Sequence, residues 1–185
     1  DGSIPWEKEK KLDPWDHVEA AMGLSLAGEG TAANKAFYWM RDNQEADGSW
    51  FSEYKEGVVK SSKKESNFSA YIATGLLHSY LINPDIDFLA QMFPTLDAAM
   101  KFVISLQTDY GDIYWAKDNE SILDDSLITG CSSIYKSIDC AEAIYKLLGH
   151  DSEYLKRSKI LLKNSFTMYP ERFDRNCESK SRYSM

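Results

Sequence analysis

Apolar positions along this chain recur at helical spacing in six successive segments. Val18, Ala21, Met22 and Leu26 mark the first stripe, opened by Asp13 as an N-cap with Pro14 at the first helical position. Thr31 caps a second stripe of Ala33, Ala36, Phe37 and Met40. The third segment, about Asn67 to Leu81, is apolar nearly all round, so it is expected to be central and buried on all sides. A fourth helix is expected after Pro94, facing the core with Leu96, Ala99, Met100, Val103 and Leu106. A fifth carries Ile134, Ile138, Ala141, Tyr145 and Leu148 and ends at Gly149, suited to a left-handed C-cap. A sixth carries Tyr154, Leu155, Ser158, Leu161 and Leu162. No alternating strand pattern competes with these, so the expected class is all-α, built from stacked helical hairpins.

A repeat underlies the helices. Gln44 and Gln107 lie 63 residues apart, and each stands four residues before a glycine, Gly48 and Gly111. The run Gly111-Asp112-Ile113-Tyr114-Trp115 echoes Gly2-Ser3-Ile4-Pro5-Trp6 at the start of the chain. A unit of two helices preceded by a glycine turn therefore recurs, and stacked neighbours would bury each other's apolar faces.

The run Gln44 to Trp50 resembles the Gln…Asp-Gly-Ser-Trp element of α/α-toroid proteins, which include terpenoid cyclases, protein prenyltransferases and six-hairpin glycosidases. Three further stretches, Asp13-Pro14-Trp15-Asp16-His17-Val18-Glu19-Ala20-Ala21-Met22, Asn67 to Ala73 and Thr129 to Tyr135, resemble bacterial proteins labelled prenyltransferase-like. The resemblance spans the whole chain and implies an α/α-hairpin toroid. Residues 1–185 would form one domain of about three of the six hairpins, a piece of something longer. An exposed edge of such a half-ring would favour self-association.

Composition narrows the function classes. The 185 residues include 21 Lys and Arg against 29 Asp and Glu, a net charge of -8, so the basic footprint of a nucleic-acid binder is missing. No apolar run reaches the roughly 18 to 20 residues that span a bilayer. Cys131, Cys140 and Cys177 are too scattered for a disulfide framework, and their odd number suits a reducing compartment, the cytoplasm. The context of Cys131 is only faintly like a prenyltransferase zinc ligand. Thr129 stands where that pattern has Asp, and the following His150 sits in a helix-ending turn. Neither a metal nor a cofactor is therefore expected. The basic cluster Lys60, Lys63 and Lys64, with Lys55 nearby, reads as a solvated loop and not as a diphosphate clamp.

In a hairpin array the long loops gather at one rim. Here they hold Trp6, Trp50, Tyr54, Tyr114 and Trp115 among several carboxylates. Aromatic rings that pack on pyranose faces, next to carboxyl groups able to act as acid and as base or nucleophile, make a sugar site. The catalytic candidates are Asp16 as acid, with Asp118 or Asp125 as its counterpart. The substrate-binding candidates are Trp6, Trp15, Glu19, Trp50, Asn67, Tyr71 and Trp115. Asp16 and Glu19 share a helix face and can shift each other's pKa; equally, acids in a first turn complement the helix dipole. His17 is as readily a core hydrogen-bonder as a catalyst, and His78 reads as core or solvent-facing. The expected function is a carbohydrate-active, glycosidase-like enzyme with a glycan or small-molecule ligand. The alternatives are an isoprenoid enzyme and a non-catalytic hairpin scaffold.

Overall fold

The computed structural model describes residues 1–7 and 11–176, so Cys177 lies outside the described residues. Six helices form three hairpins: α1 (Pro14–Leu26) with α2 (Gly30–Asp42), α3 (Ser66–Ile82) with α4 (Ile86–Ser105), and α5 (Ile128–Leu148) with α6 (Glu153–Met168). The odd helices stand side by side in the order α1, α3, α5, while the even helices back them. Turns of a few residues join the two helices of each hairpin. The long connections 43–65 and 106–127 run from the end of one even helix to the start of the next odd one. All the odd helices therefore begin at the same rim, and the long connections gather there.

Local signals explain the boundaries. Asp13 caps α1 by accepting from the Asp16 amide at 2.9 Å, and Gly149 closes α5 at φ 74°. The structure moves the expected start of the fourth helix: α4 begins at Ile86, capped by Asp85 on the Phe88 amide at 2.9 Å, and carries Pro94 inside it. That cap fixes the start a full two turns earlier, and Pro94 sits at an exposed position of the helix. Helix α2 likewise starts at Gly30, with Glu29 at the cap position and Thr31 already helical.

Strands are present as well. β1 (Lys11–Leu12), β2 (Glu53–Lys55) and β3 (Val58–Ser61) form one antiparallel sheet; β4 (Lys63–Glu65), β5 (Ala116–Asp118) and β6 (Ser121–Leu123) form another. Strands of two to four residues, several of them charged, are too short to show a period-two pattern. The sheets stitch the long connections together at the rim.

The sequence repeat is a physical unit. Gln44 donates from Nε2 to the Gly48 carbonyl at 2.9 Å and to the Thr95 carbonyl of α4 at 2.9 Å. Gln107 does the same to Gly111 at 2.9 Å and to Ser158 of α6 at 3.0 Å. Gly48 and Gly111 have φ of 90° and 94°, and a Cβ at either would lie 2.2 or 2.3 Å from a carbonyl oxygen of the outer helix. Gly2 meets α2 in the same way, through the Lys35 carbonyl. Two residues past each glycine an apolar side chain turns inward: Ile4, Trp50 and Ile113 all pack in the core.

Candidate functional site

The first turn of α1 organises one end of the rim. Asp13 is more than a cap: its Oδ2 accepts the Trp6 indole N–H at 3.1 Å and pairs with Lys11 at 3.3 Å. Lys11 in turn lies over the Trp6 ring, 4.4 Å from its centroid. Trp15 stacks on Tyr71 of α3 with centroids 3.7 Å apart and planes 10° from parallel. Both of these aromatics donate to Glu19 Oε1, Trp15 from its indole at 3.0 Å and Tyr71 from its hydroxyl at 3.2 Å. Phe68 flanks the stack, 6.4 Å from Trp15.

Asp16 sits among these groups. Partial burial, then the neighbouring charges of Asp13 and Glu19, push its carboxyl above the usual carboxylate range. Burial and the Glu19 carboxylate likewise raise the Tyr71 phenol to about 12. The result is a half-buried carboxyl that holds its proton more readily than an ordinary aspartate, next to a flat aromatic pair. That is the equipment of a general acid.

The central helix is open on one side, which corrects the expectation that it is buried all round. Gly75 faces α1, where a Cβ would meet Val18, and Thr74 bonds Ser137 of α5 at 3.2 Å. Between those two contacts lie Asn67, Tyr71 and His78, all half-buried and on one helix face. Asn67 adjoins Gly130 at the start of α5.

Two candidates fall away from the site. Trp50 is fully buried and donates its indole N–H to the Met40 carbonyl at 2.8 Å, so it has no free face for a ligand. Asp125 is also buried, and its carboxylate accepts the amides of Ser126, Arg175 and Asn176 at 2.8 to 3.0 Å. It holds residues 175 and 176 against the start of α5, a structural task for a buried carboxylate. Asp118 lies at the end of β5, half-buried and bonded to Ser62 at 2.5 Å. Trp115 is half-buried under the Lys63 ammonium, and Trp6 remains 57% exposed at the rim.

His17 is a structural group. Its Nδ1 accepts the Ile4 amide at 3.1 Å and its Nε2 lies 2.9 Å from the Ala36 carbonyl, which fixes the neutral tautomer. Burial lowers its pKa, and the ring ties the first repeat loop to the first hairpin. Cys131 is buried in the first turn of α5 with its sulfur 3.3 Å from the Ile113 carbonyl, and burial raises its thiol to about 12. Sequence reasoning saw Asp13 only as a cap and Phe68 only as part of an apolar helix, and it passed over Lys11. The density of charge and indole in Asp13-Pro14-Trp15-Asp16 was the available signal.

No helix among the described residues is long and apolar enough to cross a membrane. No protein-family model matches the chain. The chain is 40% identical over 184 residues to an MMP endo-(1,4)-3-O-methyl-alpha-D-mannosidase of Mycolicibacterium hassiacum; the match takes in 100% of this chain and 50% of that protein. The chain thus spans half the length of that curated relative. Among solved structures it resembles the cellobiose 2-epimerase of Bacillus thermoamylovorans, with a TM-score of 0.66, 11% identity, and 86% of this chain over 45% of that one. A sugar epimerase from a ruminal bacterium gives 0.64 and 16%, with 89% of this chain over 46% of that one; a D-mannose isomerase gives 0.60 and 13%, with 82% over 38%. These likenesses establish the α/α-toroid fold of the six-hairpin glycosidase kind. They correct the resemblance to prenyltransferases, since the relative at 40% identity is a mannosidase.

Proposed function

We propose that this chain supplies the acid-bearing wall of a glycoside-hydrolase site, and that its substrate is a glycan of α-(1,4)-linked 3-O-methylmannose. The observation that carries the reading is the Trp15–Tyr71 stack beside a carboxyl raised above its ordinary range. The relative's mannosidase activity supports it. Flat rings receive the apolar face of a pyranose, and each O-methyl group adds apolar area that an aromatic rim favours. Asp16 in its protonated form would donate its proton to the glycosidic oxygen as the C1–O bond breaks. Glu19 positions both aromatics and, by its charge, helps Asp16 keep that proton. Asp118 remains the chain's candidate for the second carboxylate.

The test pairs binding with turnover. Short α-(1,4)-linked 3-O-methylmannose oligosaccharides should quench the tryptophan fluorescence of the chain, and Trp15→Ala should abolish the change. Where new reducing ends form, Asp16→Asn should keep the quench and lower turnover about 10²- to 10⁴-fold. Activity should fall as pH rises through the raised Asp16 value. Asp118→Asn with unchanged hydrolysis removes Asp118 from the mechanism. Quenching by a prenyl diphosphate but by none of the oligosaccharides overturns the reading.

A further inference from the structure

Helix α3 stands between α1 and α5, so both flanks of its inner face are settled within the chain. Around its first turn the polar side chains have mostly found partners in the protein. The Ser66 hydroxyl donates to the Trp115 carbonyl at 3.1 Å, and the Ser69 hydroxyl to the Glu65 carbonyl at 3.0 Å. The Trp15 indole and the Tyr71 hydroxyl both end on Glu19. Asn67 is the exception: it is half-buried, yet among the described residues its carboxamide has no hydrogen-bond partner. It lies one turn before Tyr71 on the same helix face. On the α1 side its neighbour Phe68 reaches Trp15. On the α5 side it adjoins Gly130, where a Cβ would lie 3.8 Å from the Asn67 Cγ. A free amide thus stands at the edge of the Trp15–Tyr71 stack.

A carboxamide carries an acceptor and a donor side by side, the carbonyl oxygen and the NH2 group, so it can read two adjacent sugar oxygens at once. In an α-(1,4)-linked mannose chain the oxygens on C1 and C4 belong to the linkages. The neighbouring ring carbons whose substituents stay outside them are C2 and C3. When position 3 is methylated, the C2 hydroxyl keeps its hydrogen while the C3 oxygen can only accept. The pair then matches the amide one to one: the carbonyl accepts from the C2 hydroxyl, and the NH2 donates to the methoxy oxygen. We propose, resting on the glycoside-hydrolase reading of this site, that Asn67 reads the C2 hydroxyl and the C3 methoxy oxygen of the unit lying against the Trp15–Tyr71 stack, and so admits 3-O-methylated mannose. An amide accommodates a free C3 hydroxyl as well. A carboxylate in its place does not treat the two alike. It has no hydrogen to give, so it accepts from a C3 hydroxyl but meets a methoxy oxygen lone pair to lone pair.

Asn67→Asp separates the two cases and spares the helix, because a negative charge at the second position of α3 complements the helix dipole. Dissociation constants are read from the tryptophan quench with two α-(1,4)-linked mannose oligosaccharides of equal length, one 3-O-methylated and one not. Asn67→Asp should weaken the methylated ligand about tenfold relative to the unmethylated one, with an unchanged melting temperature. Asn67→Leu, similar in size but unable to hydrogen-bond, should weaken both by similar factors. A ratio of the two constants that Asn67→Asp leaves unaltered overturns the proposal, as does an Asn67→Leu variant that binds both as tightly as before. Either result leaves the proposed function standing, since the unaltered chain still binds the oligosaccharides. No quench of the unaltered chain by either oligosaccharide would sink the proposed function and the role of Asn67 with it.

Discussion

At the head of α1, Asp16 is flanked by Asp13 and Glu19, and its carboxyl is pushed up by burial and by those two like charges. Across the rim, in connection 106–127, Asp112 is more deeply buried and yet held below the usual carboxylate range. Burial opposes ionisation at Asp112 too. Hydrogen bonds from Ser126 at 2.6 Å, from Thr108 and from Arg172 at 3.3 Å outweigh it. Depth alone therefore does not decide what a rim carboxylate does. Its donors do: Asp112 is committed to holding residues 108, 126 and 172 together, while Asp16, set between two like charges, holds its proton more readily than an ordinary aspartate.

The contrast between structural and ligand-facing groups can be broken at several points. The largest loss should follow Trp50→Ala, which empties a fully buried indole site and should cost about 4 kcal/mol in urea unfolding. Asp112→Ala leaves the Arg172 guanidinium and two hydroxyls without their acceptor, and should cost about 3 kcal/mol. It should also remove a limb of acid sensitivity. Because the folded pKa is lowered, the stabilisation by Asp112 is complete above the ordinary carboxylate value and is lost as pH falls through the folded one. Gly111→Ala forces a Cβ to 2.3 Å from the Leu161 carbonyl at a φ of 94° and should cost about 2 kcal/mol. Trp15→Ala removes an exposed-side stack worth about 1 kcal/mol, so its main effect should be on ligand binding and not on folding.

The smallest effect has the opposite sign. A carboxyl whose folded pKa is raised destabilises the fold once ionised, so Asp16→Asn should raise the melting temperature at pH 7. The gain should shrink as pH falls and vanish below the ordinary carboxylate value, where both states are protonated. A variant that stabilises the fold while abolishing turnover would mark Asp16 as a group held at a cost for function.

Helices and repeat were legible in the sequence because each rests on local chemistry that recurs: an apolar stripe, a capping Asp, a Gln four residues before a Gly. The strands were not, since residues such as Lys63, Lys64 and Glu65 pair through their backbones and leave no hydrophobic signature. Trp50 was misplaced because an indole in a glycine-rich loop reads alike as a core plug and as a platform. Its alignment with Ile4 and Ile113 two residues past the repeat glycine points to the core. Asp125 was misread for another reason. Two of its donors, the amides of Arg175 and Asn176, come from some 50 residues along the chain, a distance over which no local pattern speaks. The Trp15, Glu19 and Tyr71 candidates met in space because helical spacing put each on the inner face of its own helix.

The most direct test of this account follows the side-chain carboxyl carbons by ¹³C NMR through an acid titration, with Asp16→Asn and Asp112→Asn used for assignment. The account predicts that Asp16 titrates above the ordinary aspartate range and Asp112 below it, within the same folded protein. An Asp16 resonance that titrates with the solvent-exposed aspartates, or below them, would contradict it and leave the rim without its acid.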